Sequence, residues 1–195
     1  MNLSLDRRPA LVAIAGPNGA GKTTFFEAFL ESCALRFVNA DHLARELHLG
    51  PYEAAELAAT LRDELAGRRE SFAFETVFSD PVGDKVRWLR RAADSGYNVL
   101  LFFIGLDTPE RSDERVFMRV TQGGHDVPNE KLRARFPRTL ANLALAIREL
   151  PYVSIYDNSD LAKPFRFVAE YQNGIARRNA RFMPKWFRRI DPRES

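Results

Sequence analysis

Residues Gly16-Pro17-Asn18-Gly19-Ala20-Gly21-Lys22-Thr23 meet the GxxxxGK[ST] phosphate-loop pattern. Glycines at these positions let successive backbone N–H groups wrap around phosphate oxygens. Lys22 is placed to reach the β and γ phosphates, and the Thr23 hydroxyl is placed to ligate Mg²⁺. The motif stands between an apolar strand-like run at 11–15 and a helix-like run at 24–30. A helix starting there points its positive end at the same anion. The expectation is that Gly16, Pro17, Asn18, Gly19, Ala20, Gly21, Lys22, Thr23 and Thr24 bind ATP, with Mg²⁺ on Thr23.

Phosphoryl transfer is mostly positioning and charge neutralisation. It needs a metal shell, a group that orients or deprotonates the acceptor, and cations on the transferring phosphoryl. If strands end near Asn39, Phe74, Leu106 and Tyr156, then Asp41, Glu75, Thr76, Asp107, Asp157 and Asn158 gather on one rim of a sheet beside the phosphate loop. Asp41, Glu75 and a lid arginine are the candidates for those tasks. Asp also suits the N-cap of a helix beginning at His42, so Asp41 has a purely local alternative. Arg111, Arg115 and Arg119 recur at i, i+4 spacing, and Gly123-Gly124 follow where a hinge would help. That segment reads as a basic lid over phosphate, or as a solvated cationic face ending in a glycine C-cap.

Positioning these groups calls for a parallel α/β sheet. Short apolar runs at 11–15, 35–39, 71–74, 97–106 and 152–156 alternate with helical patterns at 41–49, 52–69, 82–95, 109–121 and 129–150. The run Val99-Leu100-Leu101-Phe102-Phe103-Ile104 is continuously apolar, as a strand covered on both faces should be. Pro137 is expected to bend the last helix. The fold class expected is α/β, a three-layer P-loop NTPase fold with a mostly parallel sheet, helices on both faces and a helical lid. One domain spans 1–195, with the lid at about 109–138 and a basic extension at about 175–195.

Composition agrees with a globular domain: 195 residues, 45% apolar, 28% charged, net charge +3. One cysteine, Cys33, excludes an internal disulfide, and its apolar setting suggests a core residue. His42, His48 and His125 are too scattered for a metal site. No apolar run reaches the roughly 18 residues that span a bilayer, and the N-terminus lacks signal-peptide order, so a cytoplasmic location without membrane partners is expected. The tail concentrates Arg177, Arg178, Arg181, Lys185, Arg188, Arg189 and Arg193 beside Phe182, Trp186 and Phe187. Cations with aromatics suit single-stranded nucleic acid. The preferred reading is instead a docking segment that buries Trp186 and Phe187 over the sheet edge, with nucleic acid not expected as a partner.

The phosphate loop, Asn39-Ala40-Asp41, Phe74-Glu75-Thr76, the Gly123-Gly124-His125-Asp126-Val127-Pro128 segment and Tyr156-Asp157-Asn158-Ser159 together resemble the zeta-toxin family of P-loop kinases, in order through about residues 10–160. The resemblance implies an ATP- and Mg²⁺-dependent kinase acting on a small-molecule hydroxyl, UDP-N-acetylglucosamine in the founding toxins, and a possible antitoxin protein as partner. It implies Lys22 and Thr23 at the ATP and metal, and Asp41 as general base. It implies Glu75 and Thr76 at the substrate or the Mg²⁺ shell, without the glycine that separates them in the founders. Arg119, or else Arg115, corresponds to a catalytic lid arginine. His125 stands where the founders have a second one, leaving Arg133 or Arg135 as its replacement. Asn158 would lie near the adenine, although a bare strand-end turn accounts for 157–159 equally well. Kinases of other hydroxylated metabolites or antibiotics, and polynucleotide kinases, remain alternatives.

Overall fold

The structure, a computed structural model, describes residues 6–121 and 129–191, without the side chains of 119–121 and 129. His125 and Gly123-Gly124 therefore lie outside the described residues, as does the side chain of Arg119. The strands are β1 (Ala10–Ala15), β2 (Arg36–Val38), β3 (Phe72–Thr76), β4 (Asn98–Gly105), β5 (Tyr152–Asp157), β6 (Arg166–Gln172) and β7 (Ile175–Asn179). The helices are α1 (Lys22–Phe29), α2 (Ala40–Leu47), α3 (Pro51–Gly67), α4 (Asp84–Asp94), α5 (Pro109–Thr121), α6 (Asn129–Glu149) and α7 (Lys185–Arg188). The strands form one sheet in the order β2-β3-β1-β4-β5-β6-β7. Pairing is parallel from β2 to β5 and antiparallel through β6 and β7.

Side chains alternate between faces with the two-residue strand period. Leu11, Ala13, Phe72, Phe74, Leu101 and Phe103 join one core, which α3, α4, α6 and α7 cover. Val12, Ile14, Phe102 and Ile104 join a second, where Phe25 and Phe26 of α1 pack. Burial on both faces is why β1 and β4 read as unbroken apolar runs. The phenylalanines of these strands are fully buried, each contributing about 1.5–3 kcal/mol. Cys33 is half-buried in a short 3₁₀ turn against the second core. The α6 helix continues through Pro137 as one element. No helix among the described residues is long and apolar enough to cross a membrane.

The tail is structural. Trp186 and Phe187 are buried in the first core. A Cβ on Gly105 would fall 2.1 Å from the Trp186 ring, so the last residue of β4 must be glycine for α7 to seat. Upstream, β6 and β7 form a hairpin that the apolar periodicity did not predict. Both strands carry charged residues between their apolar ones, and β7 is almost wholly exposed. The signal present was Asn173-Gly174: both have positive φ, 49° and 76°, as a two-residue hairpin turn requires.

Candidate active site

The phosphate loop connects β1 to α1, with Lys22 as the first residue of α1. Gly16 has φ 150°, and a Cβ there would lie 2.1 Å from the Ile104 carbonyl oxygen, so β4 admits only glycine. Ser112 of α5 donates to the Asn18 carbonyl at 2.7 Å. Arg115, one turn further, donates to the carbonyls of Gly19 (3.5 Å) and Ser159 (3.3 Å). Burial and the neighbouring Arg111 lower the pKa of its guanidinium. On the other side Asn158 donates to the Ala20 carbonyl at 2.8 Å and accepts from the Phe165 N–H. Its amide thus braces the loop. Thr24 is exposed on the first turn of α1.

Beside the loop is a compact polar cluster. Thr23 donates its hydroxyl to Glu75 Oε2 at 2.6 Å. The Lys22 ammonium, 5% exposed, donates to the Pro17 carbonyl at 3.0 Å and lies 3.5 Å from Glu75 Oε1. Glu75 is brought there by register, because β3 runs parallel to β1 and pairs Glu75 with Ile14. Asn39 completes the cluster. Its Nδ2 donates to Glu75 Oε2 at 3.0 Å and approaches Thr23 Oγ1 at 3.4 Å. Its Oδ1 accepts from the N–H groups of Asp41 (2.8 Å) and His42 (3.3 Å).

Asn39 is therefore the N-cap of α2, which overturns the local alternative for Asp41. Asp41 lies inside the first helical turn, on the wall of a cavity of about 580 Å³ that opens from Lys22 and Glu75. One wall is α3, through Tyr52, Ala55, Ala58, Ala59 and Arg62. The loop after β3, with Lys85 of α4 and Lys131 and Arg135 of α6, lines the rest. Thr76 accepts the Phe78 N–H at 3.1 Å, and Thr139 and Asn142 of α6 donate to the carbonyls of Val77 and Phe78, fixing that loop. Lys131 donates to the Tyr52 phenol at 3.0 Å across the cavity mouth, lowering the Tyr52 pKa. Of the two replacement arginines considered, Arg135 lines the cavity, whereas Arg133 pairs with Asp113 of α5 at 3.3 Å.

The rim is less acidic than the sequence suggested. Asp107 is taken up by Arg111 at 2.6 Å. Asp157 is buried and accepts from Trp186 Nε1 (2.8 Å) and Ser159 Oγ (2.7 Å). Both carboxylates hold protein groups, so Glu75 and Asp41 are the acids of the cavity. A second depression, about 750 Å³ and lined by Arg111, Leu161, Arg166, Phe182 and Lys185 among others, contains none of the loop residues. The residues that sequence reasoning left without a role are Asn39, Tyr52, Arg62, Lys85 and Lys131. A signal for α3 existed in the alanines at 55, 58 and 59, whose helical spacing marks one small-residue face.

Thr23 and Glu75 suit Mg²⁺ as hard oxygen donors side by side, with the remaining positions left to phosphates and water. Among the described residues no group of three or more His, Cys, Asp or Glu could hold a metal unaided.

No protein-family model matches the chain. A guanylate kinase of Clostridium perfringens is 26% identical over 170 residues, covering 78% of this chain and 75% of that protein. Among solved structures, the AvrRxo1-ORF1:AvrRxo1-ORF2 complex with sulphate ions superposes with a TM-score of 0.72 at 18% identity. The match covers 94% of this chain but 64% of that one, so the present chain spans less than two thirds of it. The PezAT toxin–antitoxin system of Streptococcus pneumoniae gives 0.55 at 16%, covering 77% and 68%. A gluconokinase of Sinorhizobium meliloti gives 0.51 at 23%, covering 81% and 86%. Sheet order, phosphate loop and these likenesses together establish the fold as the three-layer α/β P-loop fold.

Proposed function

We propose that the chain is an ATP-dependent phosphotransferase with a small-molecule hydroxyl acceptor, a nucleotide sugar of the UDP-N-acetylglucosamine kind. The observation that carries this is the placement of Lys22, Thr23, Glu75 and Asn39 at one end of a cavity whose wall includes Asp41. Lys22 neutralises the phosphate it contacts, and the backbone of the loop cradles the others. Thr23, with Glu75 beside it, would hold Mg²⁺, which would supply charge neutralisation on the phosphates. Asp41 accepts the proton of the acceptor hydroxyl as its oxygen attacks the γ-phosphorus and ADP departs. Arg115, or Arg119 on the next turn, supplies a cation to the transferring phosphoryl. Arg135 meets the acceptor from α6.

The test is mass spectrometry of UDP-N-acetylglucosamine and related UDP-sugars after incubation with ATP, Mg²⁺ and the protein. A gain of one phosphate that disappears in Asp41→Asn, with ATP binding retained, is the expected result. Full activity in that variant removes Asp41 as base. The likeness to guanylate kinase favours a second reading, a nucleoside monophosphate acceptor. Including GMP in the panel separates the two, because phosphorylation then falls on a phosphate and is independent of Asp41. An antitoxin protein as partner is a further proposal, motivated by the PezAT likeness.

A further inference from the structure

Two cations in the cavity wall are partly buried with no partner that accounts for it. The Arg62 guanidinium lies 5.0 Å from the centroid of Phe74 and 6.0 Å from that of Trp88. These ring faces orient it but offer its five N–H donors no oxygen. It forms no hydrogen bond or ion pair among the described residues, and burial lowers its pKa. Lys85, at the start of α4, likewise has no hydrogen bond or ion pair among the described residues. Burial lowers the ammonium pKa, Arg62 lowers it further, and Asp80 and Asp84 oppose both.

The neighbouring acids make their hydrogen bonds to other groups. Asp63 accepts from Trp88 Nε1 at 2.9 Å, Asp84 pairs with Arg87 at 2.6 Å, and Asp80 accepts from the Asp84 N–H. Asp63 beside Arg62, and Asp80 and Asp84 beside Lys85, offset this burial only in part, and an anion in the cavity would complete the neutralisation.

The shape of α3 says what lies between that pair and the phosphate loop. Tyr52, Ala55, Ala58, Ala59 and Arg62 form one helical stripe, about 15 Å long at 1.5 Å rise per residue. The alanines leave room and bring no polar group of their own. Arg62 and Lys85 share this groove with Lys22, Glu75 and Asp41. We infer that Arg62 and Lys85 form an anion subsite, and that the acceptor is a phosphorylated molecule whose phosphate they hold while its hydroxyl reaches Asp41. The guanidinium fork fits two phosphate oxygens and the ammonium adds a point charge. The role of the bound molecule as acceptor rests on the phosphotransfer reading; the subsite itself does not.

The experiment is calorimetric titration of inorganic pyrophosphate into the full chain, with the phosphate loop first saturated by Mg²⁺ and a non-hydrolysable ATP analogue. The wild-type chain should bind it. Arg62→Met and Lys85→Met, which keep the aliphatic packing, should each weaken binding about ten- to hundredfold, with Arg62→Lys intermediate for loss of the fork. Affinity for the ATP analogue verifies that each variant is folded, and Lys85→Met remains informative if loss of Arg62 disturbs Phe74 and Trp88. No pyrophosphate binding at millimolar concentration, or binding undiminished in both Met variants, overturns the subsite. Pyrophosphate binding with no acceptor phosphorylated leaves the subsite standing and removes the kinase reading. Phosphorylation of a neutral sugar without pyrophosphate binding does the reverse.

Discussion

Asn39 joins the helix that carries Asp41 to the cluster that holds Thr23, and its replacement separates those two tasks. In Asn39→Ala, α2 loses its N-cap, worth about 1 kcal/mol, while Glu75 loses a charge-assisted donor worth about 1.5–3 kcal/mol. The sum, about 2.5–4 kcal/mol, lowers the melting temperature by about 5–15 °C for a chain of this length. Asn39→Asp retains a good cap but places a second carboxylate where an N–H stood 3.0 Å from Glu75 Oε2. At an effective dielectric near 20, two such charges about 4 Å apart repel by about 4 kcal/mol, so the Asp variant should be no more stable than the Ala variant at pH 7. Its deficit should shrink as the pH is lowered, because repulsion between two carboxylates favours protonation of one of them. The assay is thermal unfolding by circular dichroism at pH 7 and pH 4.5, with calorimetric affinity for the ATP analogue with and without Mg²⁺. Wild-type stability and Mg²⁺-dependent affinity in Asn39→Asp would refute the assignment of Asn39 as donor to Glu75.

Asp41→Asn should lose about 10²–10⁴-fold in turnover while its melting temperature stays close to wild type, read by product mass spectrometry and calorimetry. Trp186→Phe strips the buried Asp157 of its indole donor and should cost about 1.5–3 kcal/mol in denaturant unfolding without changing nucleotide affinity; a weakened nucleotide affinity would contradict a purely structural Asp157. Asn158→Ala releases both the Ala20 carbonyl and the Phe165 N–H and should weaken ATP binding as well as stability, because it frees the phosphate loop. Tyrosine absorbance titration should find Tyr52 ionising first, its pKa lowered by the Lys131 hydrogen bond, and Tyr52→Phe should remove that early step. Burial and Glu170 raise the Tyr152 pKa above its unfolded value. Its contribution is therefore intact below about pH 10 and is lost as the pH rises beyond that, so alkaline unfolding should begin later in Tyr152→Phe.

The order of elements around the candidate site was legible along the chain because each signal was local. A glycine-rich loop between an apolar run and a helical run needs no distant partner to be read, and β1 and β4 announce their double coverage by unbroken apolar sequence. Glu75 was legible as a candidate, but its junction with Thr23 depends on the register between β3 and β1. The roles of Asn39, Arg62 and Lys85 were not legible. A capping asparagine looks the same whether or not its amide reaches another strand, and a helical arginine looks solvated until the fold places it over Phe74 and Trp88. Asp107 and Asp157 erred in the other direction: their types suggested ligand chemistry, and tertiary contacts with Arg111 and Trp186 used them instead, whereas the basic tail docks with Trp186 and Phe187 buried, as expected. Sequence by itself determined the phosphate loop and the parallel core, since these follow from short-range periodicity and backbone requirements. Which polar groups face the cavity and which are consumed inside the protein was decided only by tertiary structure, because the partner of a charge lies on another element and its burial is set by packing.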